Sequence, residues 1–155
     1  MARFTVRLTV PIASPEAWRR VWDLDAHTRF IPLTTLRGDG TGDRDLRAGS
    51  RFVARTALGP LHVDDVMEVR RFDAPASPAS TGRAALVKTG RVVGGDIDVT
   101  VAPAPSSAGR ASRTHVEWRQ DITLRGVPAV ADPVVAAVAR LAYGTVLRRL
   151  LRTAP

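Results

Sequence analysis

The stretch from Asp132 to Arg152 sets the terms for the rest of the chain. Asp132 followed by Pro133 reads as an N-cap and a first-turn proline, which opens a helix cleanly. Val134, Val135, Val138, Leu141, Ala142, Thr145 and Val146 recur at helical spacing as one broad apolar stripe, with Arg140, Gly144 and Arg148 opposite. Arg148, Arg149 and Arg152 crowd the last turns, where cations suit the helix dipole. At about 1.5 Å per residue the helix is roughly 30 Å long, the width of a small domain. So wide an apolar face needs a large partner surface, and the chain before it reads almost wholly as strands. The partner is therefore expected to be a sheet.

The strands show themselves by alternation. Phe4, Val6, Leu8 and Val10 alternate with Thr5, Arg7 and Thr9, the pattern of a half-buried strand. Ser14-Pro15 then starts a short helix, with serine as cap, whose inner face holds Trp18, Val21 and Trp22. Asp25 caps a second short helix from Ala26 to Ile31, ended by Pro32. Leu33 to Leu36 is a short strand, and residues 37–49 (RGDGTGDRDLRAG) form a polar loop. Phe52, Ala54, Thr56 and Leu58 share one side of the next strand, which turns at Gly59-Pro60. In the following strand Leu61, Val63, Asp65, Met67 and Val69 share one parity, against His62, Asp64, Glu68 and Arg70.

Two further strands span residues 83–89 and 91–102, after a loop at 73–82, and Gly94-Gly95 marks a bulge or strong bend in the second. Beyond a low-complexity loop at 103–112, Val116, Trp118, Gln120, Ile122 and Leu124 oppose His115, Glu117, Arg119, Asp121 and Thr123. The order is thus strand, two short helices, about six more strands and a long helix, which implies an antiparallel sheet joined by hairpins. One helix cannot cover such a sheet when flat, so the sheet must curl, and a curled sheet beside one helix leaves a cavity. The chain of 155 residues is expected to be one domain over 1–155, with no internal repeat.

This arrangement resembles the helix-grip fold of the START-like (SRPBCC) superfamily, in its bacterial polyketide cyclase/dehydrase-type branch. The matching phrases are VPIASPEAWRRVWDLDAHTRFIPL at 10–33, HVDDVMEV at 62–69, LVKTGRVVGG at 86–95 and VPAVADPVVAAVARLAYGTVLRRLLR at 127–152. With the strands between them they cover nearly the whole chain. The resemblance implies an α+β fold with a hydrophobic pocket between the curled sheet and the long helix, gated by loops and the two short helices. Its members include lipid carriers, ligand receptors and cyclases, so the fold does not select a function.

Parity singles out Asp65, set among Leu61, Val63 and Met67 on the cavity face. A buried carboxylate must be bonded or paired, which makes Asp65 either the general acid/base of an enzyme or a structural contact. Gln120 is the polar member of its inward row and would orient a ligand or satisfy Asp65. Phe52, Thr56, Met67, Trp118, Leu141 and Tyr143 complete the expected ligand wall. Lys88, the sole lysine, has ambiguous parity and reads as a surface side chain. Arg149 reads as an exposed helix end. His62 and His115 share outward parity, and His27 is placed at the entrance, so no metal spacing arises.

With no cysteine, the chain has no disulfide or thiolate chemistry. No run approaches the roughly 18 uninterrupted apolar residues of a membrane span, and the N-terminus lacks a signal-peptide h-region, which leads to a cytoplasmic expectation. The formal net charge of +8 comes from arginines scattered along the chain, which disfavours a nucleic-acid site. The leading expectation is a binder of a small hydrophobic molecule (lipid, isoprenoid or polyketide-like), without cofactor or metal, as monomer or homodimer. An aromatase/cyclase-type enzyme acting on a poly-ketone in the same cavity is the alternative. A basic surface module for nucleic acid or anionic membrane is the second.

Overall fold

The structure is a computed structural model that describes residues 1–30, 33–38, 46–105 and 112–152, the Leu58 side chain excepted. The element order is β1 (Ala2–Val10), α1 (Ser14–Val21), α2 (Leu24–Phe30), β2 (Thr34–Gly38), β3 (Arg51–Leu58), β4 (Leu61–Asp73), β5 (Gly82–Thr89), β6 (Val93–Pro103), β7 (Thr114–Leu124) and α3 (Asp132–Arg152), with a 3₁₀ turn at Ala129–Ala131. All seven strands form one antiparallel sheet in the order β1-β7-β6-β5-β4-β3-β2. This is a curled sheet gripping a long C-terminal helix, the α+β helix-grip architecture.

Strand alternation decides which face closes on the core. In β7, Thr114, Val116, Trp118, Gln120 and Ile122 are buried, and their partners across β1 include Phe4 and Val6. The outer face carries opposite charges placed directly across strand pairs: Arg3 with Asp121 at 2.7 Å, Arg7 with Glu117 at 2.5 Å, Arg51 with Glu68 at 2.9 Å and Arg55 with Asp64 at 2.6 Å. These contacts hold the Asp121, Glu117 and Asp64 carboxyls below the usual carboxylate range, chiefly through the guanidinium hydrogen bonds. Four of the 23 basic residues are thus paired across strands on the outer face of the sheet.

The curl has two visible sources. The register of β4 against β5 shifts between Val69 and Arg71, a bulge that bends β4. In β6, Gly95 has φ 129°, and a Cβ there would meet the Asp121 carbonyl oxygen at 2.0 Å. Residues 95 and 96 have no partner on β7, while Gly94 and Ile97 on either side share one register, so Gly95 bends the strand without a slip. Gly59, at φ 59°, makes the two-residue turn between β3 and β4.

The structure corrects several local readings. Ala13 caps α1, and Ser14 lies inside the helix, with its hydroxyl 3.0 Å from the carbonyl oxygens of Pro78 and Ser80 and 3.3 Å from that of Ser77. Ser14 thereby ties α1 to the β4–β5 loop. Asp23, not Asp25, accepts the backbone N–H of Ala26 at 2.9 Å and opens α2. The expected stop at Pro32, most of the 37–49 loop and most of the 103–112 loop lie outside the described residues. Asp132 has helical dihedrals (φ −51°, ψ −42°) and is a first-turn acid, because the 3₁₀ turn before it already begins the spiral.

The largest correction concerns the face of α3. Val134, Val138, Leu141, Ala142 and Thr145, read as the inner stripe, point to solvent. Val135 and Val146 of that stripe do turn inward, joined by Ala136, Ala139, Tyr143, Gly144, Leu147, Leu150 and Leu151. The helix is apolar on both sides in its first half, and the inner face is narrowed by alanines. The buried C-terminal leucines settle which side packs on β1 and α1.

Candidate functional site

A cavity of about 150 Å³ lies between the concave sheet face, α1, α2 and α3. Each wall follows from strand parity. Phe52, Ala54 and Thr56 come from β3, Asp65 and Met67 from β4, and Leu86, Ile97 and Trp118 from the next three strands. Trp22, which caps the C-terminus of α1, and His27 of α2 close the space from the side of the short helices, and Tyr143 is the contribution of α3. Thr34 and Thr56, joined by a 2.8 Å contact between hydroxyls, border the solvent side.

Aromatic rings build the back of this space. Trp18, Trp22 and Phe72 pack with centroids 5.0–5.7 Å apart, Trp118 lies 6.1 Å from Trp22, and Tyr143 lies 5.5 Å from both Trp118 and Phe4. Such tilted contacts suit the ring quadrupoles and fix the side chains in place. The indole N–H of Trp118 donates to Gln120 Oε1 at 3.0 Å.

Asp65 is the carboxylate of the wall. Its partner is Lys88, which forms an ion pair with Asp65 Oδ2 and is 1% exposed at its side chain, against 21% for Asp65. Asp65 Oδ1 is buried without a hydrogen-bond partner among the described residues, as are Trp22 Nε1 and Gln120 Nε2. A buried lysine beside a carboxylate offsets part of the desolvation of both charges. One carboxylate oxygen is left to accept a further hydrogen bond.

His27 Nε2 donates to the Val21 carbonyl at 2.7 Å, which places the proton on that nitrogen. Burial pushes its pKa below the usual histidine value, opposed by the Val21 hydrogen bond and by Asp23. The ring is a neutral part of the wall. His62 is exposed, and His115 is exposed beside Thr9, 2.8 Å from its hydroxyl. Among the described residues no cluster of His, Asp and Glu could hold a metal ion.

Of the residues that the sequence singled out, Phe52, Thr56, Asp65, Met67, Trp118 and Tyr143 are brought together on the cavity wall. Leu141 is not, because its side chain points outward from α3. Gln120 is buried beside Trp118, off the wall, and does not bond Asp65. Lys88 is buried rather than superficial: Ala84, Leu86 and Lys88 share the inward parity of β5, opposite Ile97 and Val99. The signal lay in that pairing, which a single strand does not reveal when Ala85 and Val87 are apolar too. Arg149 remains exposed, its guanidinium carbon 5.8 Å from the centre of the Phe30 ring.

No family model and no curated protein sequence matches the chain. Solved structures do. A hypothetical protein, jhp0584 of Helicobacter pylori, is similar over 96% of this chain and 85% of its own, at 12% identity and a TM-score of 0.69. TTHA0849 of Thermus thermophilus is similar over 96% and 93%, at 12% identity and a TM-score of 0.59. Ara h 8.0201 is similar over 97% and 98%, at 11% identity and a TM-score of 0.56. At such identities the likeness is one of fold, and it agrees with the helix-grip architecture.

Proposed function

We propose that the chain binds a compact hydrophobic molecule, aromatic, isoprenoid or polyketide-like, in the cavity between the sheet and α3. The carrying observation is an aromatic-walled, largely apolar space with one ion-paired carboxylate on its wall. A space of about 150 Å³ suits a ring-sized molecule, with any longer chain leaving past Thr34 and Thr56. Apolar burial supplies affinity, at about 25 cal/mol per Å² before association costs. Phe52, Met67, Trp118 and Tyr143 supply that surface. Asp65 Oδ1 favours a ligand with a hydroxyl or N–H aimed at it, since an unmade bond to a buried acceptor is costly.

Native mass spectrometry on protein purified from its own source, followed by denaturing extraction, tests this reading. A stoichiometric apolar adduct supports it and gives the chemical class. A clean apo mass, with no binding of small aromatic probes, overturns it.

Asp65 also favours a second reading, an aromatase/cyclase-type enzyme in which its carboxylate moves protons on a poly-ketone. The paired variant Asp65→Asn with Lys88→Met removes both charges while keeping a polar group on the wall. A carrier keeps binding within about tenfold, near the value of one hydrogen bond. An enzyme loses about a hundredfold or more in turnover while binding survives.

A further inference from the structure

The outward face of α3 is a surface that the cavity does not use. Val130, Val134, Val138 and Leu141 are 86%, 66%, 62% and 72% exposed, and Ala137 and Ala142 lie exposed beside them. At 100° per residue, Val134, Val138, Leu141 and Thr145 fall within an arc of about 60°. Arg148 and Arg152 continue the same face over the last two turns, and both are exposed without an ion-pair partner among the described residues. The segment Ala129–Arg152 is long and apolar enough to cross a membrane by length and composition, and 17% of its most apolar window is buried. It lies along β1 and α1 by its inner face, so the apolar surplus faces away from the protein.

We propose that this face docks on an anionic lipid surface, with α3 lying in the plane of the interface. The valines and Leu141 would sit at the level of the acyl chains, and Arg148 and Arg152 would meet lipid phosphates. Two observations favour lipid over a second copy of the chain. The four large side chains present on the order of 400 Å² of apolar surface, about half of what each partner gives to a standard stable interface. Each chain also carries a formal charge of +8, which repels another copy and is attracted to an anionic surface. Tyr143 leaves α3 from the opposite side, so docking leaves the cavity lining in place.

The test is cosedimentation of the full chain with vesicles of phosphatidylcholine containing about 30% phosphatidylglycerol, against pure phosphatidylcholine. Binding is expected to be at least tenfold tighter on the anionic vesicles and to weaken at roughly 0.5 M salt. Arg148→Ala with Arg152→Ala should weaken it about twenty-fivefold, near fivefold for each cation lost. Val138→Asp with Leu141→Asp should weaken it at least tenfold while the thermal melt stays within a few degrees, since both sites are exposed. If that pair does not fold, Val138→Ser with Leu141→Ser replaces it, with the same loss expected. Failure of the parent chain to bind anionic vesicles overturns the proposal, as does unchanged binding by the apolar-face variants. So does a dimer at micromolar concentration that those variants convert to monomer, which would make a second copy the occupant.

Discussion

Replacing Lys88 by methionine keeps the aliphatic stem and removes the cation facing Asp65. The carboxylate it leaves behind is 21% exposed and borders the cavity, so water can reach part of it. The cost should therefore sit at the low end of the range for breaking a buried pair, about 3 kcal/mol. Asp65→Leu is the harsher change, because it strands an ammonium whose side chain is 1% exposed, and about 4–5 kcal/mol is expected. The two together, Asp65→Leu with Lys88→Met, remove both charges and should return to within about 1 kcal/mol of the parent chain. The cycle thus requires a coupling of about 6 kcal/mol. Urea unfolding followed by tryptophan fluorescence is a suitable assay, since Trp18, Trp22 and Trp118 are all buried near the cavity. In thermal scans Lys88→Met should melt about 6–12 °C lower. Single variants within about 1 kcal/mol of the parent, or strictly additive effects, would refute the reasoning and place the pair in water.

Other consequences concern single positions. Burial depresses the pKa of His27, so the folded state binds fewer protons there than the unfolded chain, whose value is 6.5. Its neutral form costs nothing above that value, and stability should fall as pH drops below about 6.5 toward the folded pKa; His27→Gln should flatten the urea midpoint between about pH 7.5 and 5.5. Gly95→Ala puts a Cβ 2.0 Å from the Asp121 carbonyl oxygen at a φ of 129°. It should lower stability by about 3 kcal/mol or more, read as a melting-temperature drop of about 6 °C or greater. Tyr143→Ala should enlarge the cavity and cost about 2–3 kcal/mol, whereas Leu141→Ala should stay within about 0.5 kcal/mol in the same urea titration. A larger loss at Leu141 than at Tyr143 would mean that the helix sits with its other face inward.

The strands were legible because a half-wet sheet writes its geometry into every second residue. Phe4 to Val10 and Val116 to Ile122 each gave parity and span from their own letters, and Phe52, Met67 and Trp118 followed onto the cavity wall. Legibility failed where the deciding contact lies elsewhere in the chain. Lys88 is inward because Leu86 pairs with Ile97, a fact of the neighbouring strand. Ser14 matches a cap in sequence, yet its hydroxyl serves the loop at 77–80. Asp23 and Asp25 are interchangeable as letters, and only the approach of Val21 and Trp22 to the core decides which of them opens α2.

The reversed face of α3 follows from the same limit and carries the most meaning. Helical periodicity reports that apolar side chains share a face, and it assigns the larger ones inward by default. In α3 most of the larger aliphatics of the first half, Val134, Val138 and Leu141, lie outside, while Val135, Ala136 and Ala139 lie inside with Tyr143. Small inner side chains bring the helix close to β1 and leave room for one ring to reach the cavity. Packing then depends on the second half, where Val146, Leu147, Leu150 and Leu151 are buried. The outer valines contribute little to that packing, and water-exposed carbon on a folded chain has a cost in solubility that charge or polarity would remove. An ordinary surface helix would carry polar residues there. The sequence keeps an apolar ridge ending in arginines, and a partner that is both apolar and anionic accounts for both halves of the face.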